Sequence, residues 1–135
     1  MFAIDTLDAQ AVPSPCFLVD ERALRDNLDI LADVKDRSGA KILLALKGFA
    51  MFSLFPVVRK YLDGICASGL YEARLGRDEF GKDVHTFSPA FTDDEFDEIL
   101  SLSNHVVFNS FTQWNRFKSR ALVYQGQSRT FRGRG

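Results

Sequence analysis

Apolar residues recur along this chain in two periods, and the switch between them marks its elements. The first fifteen residues are turn-rich, and Pro13 and Pro15 stop any regular element there. Cys16-Phe17-Leu18-Val19 then reads as a short strand. Asp20 suits the N-cap of a following helix, because its carboxylate can accept from free backbone N–H groups. Leu24, Leu28, Leu31 and Val34 keep helical spacing behind it, and Gly39 ends the helix in the usual way.

From Lys41 onward, short apolar runs alternate with amphipathic stretches. Strands are expected at 41–47, 64–67, 84–88 and 105–109. Phe52, Phe55, Val58 and Leu62 form one helix face, with Pro56 tolerated in a first turn. Leu70, Ala73 and Leu75, up to Phe80, form the next. Thr92 with Glu95 reads as a capping box before Phe96, Ile99 and Leu100, and Asp93-Asp94 suit the positive helix end. Ser110 with Gln113 reads as a second box before Trp114 and Phe117. The strand starts at 41, 64, 84 and 105 lie 23, 20 and 21 residues apart, with a helix in each gap. That is a βαβ rhythm, which predicts a parallel sheet covered by helices. The Lys41–Leu46 run lacks alternation, as expected of a strand buried on both faces. A doubly wound sheet and a barrel both satisfy this periodicity.

Composition narrows the class without naming a chemistry. A chain of 135 residues, 46% hydrophobic and 26% charged, is an ordinary globular domain. The 17 basic and 18 acidic side chains nearly cancel, but unevenly: through Glu98 the balance is 11 minus 18, and beyond it six basic residues meet no acid. Those six are few, scattered and poorly interleaved with aromatics, so nucleic acid is not an expected partner. Cys16 and Cys66 lack a second Cys or His at ligand spacing, so no metal site is expected, and both read as buried free thiols in a reducing compartment. No leader pattern opens the chain, and no run approaches the ~18–20 apolar residues that span a bilayer. The expectation is a cytoplasmic protein without a membrane partner.

Ala121-Leu122-Val123-Tyr124 offers the start of another strand, and 125–135 is polar, Gly/Arg-rich and aperiodic, which reads as disordered. The expected organisation is an N-terminal strand and helix over 1–40, the first βα units over 41–122, and a basic tail over 123–135. A parallel array of four strands leaves an open edge that proteins normally cover. The chain is therefore expected to be a fragment or a prematurely ended product of a larger enzyme.

In an α/β sheet or barrel, functional side chains gather at the C-terminal strand ends. Those ends carry Lys47; Ser68, with Glu72 further on; His85 through Pro89; and Asn109-Ser110. Lys47 is the only amine nucleophile among them. A lysine partly withdrawn from water can condense with an aldehyde, whereas a solvated strand-end lysine does nothing chemical. Ser68 can donate to a phosphate or cap the next helix. Glu72 can act in a site or complement a helix dipole. His85 is a functional candidate or a packed histidine, and His105, at its strand's beginning, reads as structural.

Several segments together resemble a known group. They are Pro15 through Asp20, Leu24 and Asn27, Lys41 through Ala50, Leu62-Asp63-Gly64, Ala67-Ser68, Tyr71 through Gly76, His85 through Ala90, and Phe108-Asn109-Ser110 leading into Gln113-Trp114. They resemble the beginning of fold-type III pyridoxal-phosphate decarboxylases, and within them the carboxynorspermidine (carboxyspermidine) decarboxylase family. The likeness runs over about residues 13–120. It implies the N-terminal half of an alanine-racemase-like, TIM-type (β/α)8 barrel. It implies that Lys47 is the catalytic lysine holding pyridoxal 5'-phosphate, with Ser68, Glu72 and His85 as further cofactor-binding residues. Related decarboxylases place a glutamate one residue closer to the serine than Glu72 stands. The implied reaction releases carbon dioxide from carboxynorspermidine or carboxyspermidine, leaving norspermidine or spermidine, in a homodimer. Later strands, a β-domain and the partner subunit would supply the remaining groups, so the 135-residue chain alone is expected to be inactive. Two other readings share this resemblance. One is a non-catalytic protein of pyridoxal-phosphate homeostasis, against which the Cys16–Val19 strand and its following helix argue. The other is a regulatory decoy of a decarboxylase.

Overall fold

The computed structural model describes residues 6–127. The chain divides into two compact units, Met1–Ile42 and Leu43–Gly135.

The first unit is built on helix α1, Glu21–Ser38. Its start and stop follow from local chemistry. The Asp20 carboxylate accepts from the N–H groups of Arg22 at 2.9 Å and Ala23 at 3.3 Å. Gly39 adopts φ 68°, which a side chain disfavours, and its N–H donates to the Lys35 carbonyl at 2.9 Å. The strand expected at Cys16–Val19 does not form, Phe17 is 92% exposed, and the cysteines expected to be buried are exposed at Cys16 and half-buried at Cys66. Among the described residues Cys16–Val19 has no neighbour to ladder with, and an isolated extended segment gains little.

The second unit carries the sheet: β1 Leu43–Ala45, β2 Gly64–Ala67, β3 Asp83–Ser88 and β4 His105–Phe108. All three pairings are parallel, and the spatial order is β1-β2-β3-β4. The connections hold α2 Phe55–Val58, α3 Leu70–Leu75 and α4 Phe96–Leu102, while α5 Phe111–Gln127 follows β4. A right-handed crossover that steps one strand at a time puts every connecting helix on the same face. A doubly wound sheet instead reverses its order. The consecutive order is that of a barrel wall, so the four βα units fit part of a (β/α)8 barrel.

Strand alternation separates the two faces. Ile65, Ala67, Val84 and Thr86 are buried toward the helices. Cys66, His85, Phe87, His105 and Val107 occupy the other face and are half-buried or exposed. Leu43 and Leu44 are half-buried and Ala45 is exposed, so β1 is shorter than 41–47 and is not buried on both faces. The reason is that one face of the sheet is uncovered among the described residues.

The helix-facing core is aromatic. Phe91, Phe96 and Phe117 cluster with Leu70, Ile99 and Leu100, and Phe55 meets Phe80 edge-on at 5.3 Å. Pro56 sits in the first turn of α2, where its missing N–H costs nothing. Beyond α3 the chain widens into a π turn, Gly76–Phe80, closed by Gly81. A Cβ on Gly76 would lie 2.4 Å from Ile65 Cγ1, so glycine lets this turn close on the sheet. The Thr92–Glu95 box forms only in part. Thr92 Oγ1 donates to Glu95 Oε2 at 3.1 Å, but α4 begins at Phe96 without a side-chain cap. Ala121–Tyr124 is helical in α5 and not a strand, since Ala121 and Tyr124 pack on the aromatic core at helical spacing. The part of the expected disordered tail at 128–135 lies outside the described residues.

Arginines tie the helices together. Arg74 grips Glu98 with two bonds, at 2.6 and 2.8 Å, and Arg120 holds Asp97 at 2.8 Å. These guanidinium hydrogen bonds hold the carboxyls of Glu98 and Asp97 below their ordinary values. The pairs therefore contribute fully above the usual carboxylate range and lose that contribution as pH falls through the lowered folded values. Arg74→Met and Arg120→Met are expected to lower the urea midpoint at pH 7 and to leave it unchanged near pH 2.

A Cβ on Gly64 would sit 2.2 Å from the Asp83 carbonyl oxygen, a backbone atom that cannot swing aside. Gly64→Ala is expected to destabilise by about 1–3 kcal/mol in urea unfolding, and by more than Gly76→Ala, whose clash is with a side chain.

Candidate active site at the carboxyl edge of the sheet

Because the strands are parallel, their C-terminal ends share one edge. Four exits lie along it: Leu46-Lys47-Gly48 after β1, Ser68-Gly69 after β2, Pro89-Ala90 after β3, and Asn109-Ser110 after β4. Ala45 is paired with Cys66, so Lys47 and Ser68 each stand two residues beyond a matched position. The ladder runs one step past β1, where Leu46 N–H donates to the Cys66 carbonyl at 3.1 Å. Gly48 N–H then donates to the Ala45 carbonyl at 3.0 Å, turning the chain. Leu46 is buried, whereas Lys47 is exposed.

Ser68 is exposed and does not cap α3; the N-cap is Gly69, with no side-chain bond. Glu72 supplies the missing acceptor. From the first turn of α3 its Oε2 takes the Ser68 N–H at 2.7 Å. The same device recurs after β4, where Gln113 Oε1 accepts from Asn109 N–H at 2.7 Å while Ser110 Oγ accepts from Gln113 N–H at 3.1 Å. The Ser110–Gln113 box thus forms, with its return bond one residue early.

Gln113 does more than the box required. It is buried, and its Nε2 donates to the carbonyls of Ser88 at 3.2 Å and Pro89 at 3.3 Å, joining the β3 exit to the β4 exit. The Ser-x-x-Gln pattern locates this residue in the sequence, but nothing in the pattern tells that its amide reaches a second loop.

His85 lies away from the edge. It is the third residue of β3, level with Cys66 on β2 and with His105, the first residue of β4. The two imidazoles face each other, centroids 4.2 Å apart and planes tilted by 37°. The structure thus brings Lys47 and Ser68 to one edge and sets His85 below it, beside a histidine read from sequence as merely structural. Among the described residues no group of three His, Cys, Asp or Glu side chains is arranged to hold a metal ion, and no helix is long and apolar enough to cross a membrane.

No protein-family profile matches the chain. Individual proteins do. It is 46% identical over 111 residues to the carboxynorspermidine/carboxyspermidine decarboxylase of Campylobacter jejuni, and 44% identical over 110 residues to that of Herminiimonas arsenicoxydans. The chain is homologous to carboxynorspermidine/carboxyspermidine decarboxylases. A carboxyaminopropylagmatine decarboxylase of Synechocystis is 42% identical over 120 residues. The matches take in 82–87% of this chain but only 29–31% of each relative's length. Among solved structures, the Campylobacter jejuni carboxynorspermidine decarboxylase in complex with norspermidine superposes with a TM-score of 0.79, over 82% of this chain and 30% of its own.

The Glu72 carboxylate is the one side chain seen to fix the Ser68 exit. Glu72→Ala is expected to cost about 1 kcal/mol, with faster amide hydrogen exchange at Ser68, while Glu72→Gln, which keeps an acceptor, retains most of the protection.

Proposed function

We propose that this chain forms the lysine-bearing wall of a pyridoxal-phosphate-dependent decarboxylase that acts on a carboxylated polyamine, carboxynorspermidine or carboxyspermidine. The observation that carries this reading is the place of Lys47: an amine at the exit of β1, beside the β2 exit that carries Ser68, in a chain 46% identical to such a decarboxylase. The donor set fits the cofactor's reactive end. An amine suits its aldehyde and the Ser68 hydroxyl suits a polar substituent, while the register keeps both on one edge. When bound, the cofactor supplies the electron sink for the bond to the leaving carboxylate.

The chain's own residues then divide the work. Lys47 offers the amine. Glu72 holds the β2 exit in shape so that Ser68 stays at the edge. His85 lies one layer down, on the face that the helices leave uncovered. Lys47 is exposed, so the dry surroundings a reactive lysine needs come, in this reading, from groups outside the described residues. A homodimer and a cytoplasmic setting belong to the same proposal. So does the expectation that the 135-residue chain, which spans under a third of its relatives' length, releases no carbon dioxide by itself. Of the two features set against the rival reading as a cofactor-handling protein without activity, the Cys16–Val19 strand does not form but the following helix, α1, does, and the relatives found are decarboxylases.

Incubation of the 135-residue chain with pyridoxal phosphate, borohydride reduction and peptide mapping tests the assignment. The expected product is a single pyridoxyl group on Lys47, lost in Lys47→Arg. Labelling spread over Lys41, Lys60 and Lys82 at the same level as Lys47 overturns it.

A further inference from the structure

Gln113 is tied into the β4 exit more fully than a helix cap needs. A capping box takes Glu or Gln alike, because the return bond asks only for an acceptor. Glu72, at the equivalent place after β2, meets that need with a carboxylate oxygen. Gln113 meets it with Oε1, which accepts from the Asn109 N–H at 2.7 Å, and keeps its amide nitrogen for another task. Nε2 donates to the Ser88 carbonyl at 3.2 Å and to the Pro89 carbonyl at 3.3 Å. A carboxylate has no donor to offer them. The side chain is 9% exposed, so an amide left without those partners would be a buried polar group unsatisfied. The Asn109 side chain reaches the same loop, its Nδ2 donating to the Pro89 carbonyl at 3.4 Å, and Ser88 Oγ donates to the Ala90 carbonyl at 3.1 Å. The β3 exit is thus held from the β4 side through its own carbonyls.

The place of these exits gives the link a consequence. β4 stands three places from β1 in the consecutive strand order. In an eight-strand wall that sets its exit close to the opposite side of the mouth from the β1 exit, which carries Lys47. We propose that Gln113 is a positioning residue of the lysine site: its carboxamide locks the β3 exit to the β4 exit and so fixes the rim that a cofactor joined to Lys47 faces. Gln113 acts through the backbone it holds and needs no contact with the cofactor itself. A cap alone does not account for the residue, since the cap uses one amide atom and leaves the nitrogen's two bonds unexplained. The positioning role rests on the reading of Lys47 as the cofactor lysine, whereas the link between the two exits stands without it.

Gln113→Glu separates the link from the cap, because it keeps an acceptor for the Asn109 N–H and loses both donors. Gln113→Met loses both functions and adds no charge. Each 135-residue variant is titrated with pyridoxal phosphate, reduced with borohydride and mapped, which gives the affinity of Lys47 for the cofactor. Hydrogen exchange at the Asn109 N–H reports the cap in the same samples. Gln113→Glu is expected to bind about fivefold more weakly, the worth of one ordinary hydrogen bond, with Asn109 still protected. The loss should persist in molar salt, which screens repulsion between a carboxylate and the anionic cofactor. Gln113→Met should bind at least as weakly, with Asn109 exchanging faster. Unchanged affinity in Gln113→Glu overturns the positioning role, as does a loss that salt abolishes or one that comes only with exposure of Asn109. An unsubstituted chain that is not labelled at Lys47 overturns the cofactor reading, and the positioning role falls with it. Equal labelling of all three chains at Lys47 overturns the positioning role alone.

Discussion

Parallel pairing forces every connection to travel the length of the sheet and return the chain to the edge where the preceding strand began. All strand exits are then held at one edge, whatever the loops contain. In this protein that constraint brings Lys47 and Ser68, 21 positions apart in sequence, to neighbouring exits on the same edge. The consecutive strand order adds a second consequence, because it keeps the helices on one face and leaves the other to face whatever the exits bind. Gly64 shows how tightly the geometry is drawn, with the Asp83 carbonyl filling the space a side chain would need.

The exits are not equally stiff. Glu72 and Gln113 occupy equivalent places after β2 and β4, three residues past the helix N-cap, and each reaches back to a backbone N–H just before that cap. A carboxylate can only accept, so Glu72 fixes its own exit and no other. A carboxamide also donates, and Gln113 uses that capacity to take two carbonyls from the β3 exit. The β3 and β4 exits therefore behave as one body. Lys47 sits instead on a turn closed by backbone bonds alone.

Much of this architecture can be read from the sequence wherever the deciding forces are local. Asp20 and Gly39 bound α1 because a cap is settled by its own side chain and backbone angle. The strand starts were legible to within a residue or two for β2, β3 and β4, since each is an apolar run between turn residues. Legibility failed where a partner decides. Cys16–Val19 has the composition of a strand but no neighbour, and Ala121–Tyr124 has it too but lies on a helix face that packs against the aromatic cluster. For the candidate site, the exits that carry Lys47 and Ser68 were foreseeable from strand ends. The depth of His85 was not, because it depends on the register between β3 and β4, to which neither strand's sequence points.

That depth changes what His85 can do. One transverse row contains Ala45, Cys66, His85 and His105, and the next row toward the exits contains Phe87 and Val107. Two residues along a strand amount to roughly 6.6 Å, so the imidazoles lie about one side-chain layer below the row of Phe87 and Val107, with the strand exits beyond that row. The stacked rings are also flat and polar beside Phe87 and Val107, which are flat and branched but apolar. His85 thus belongs, with His105, to a row beneath the exits and not to the edge that carries Lys47 and Ser68.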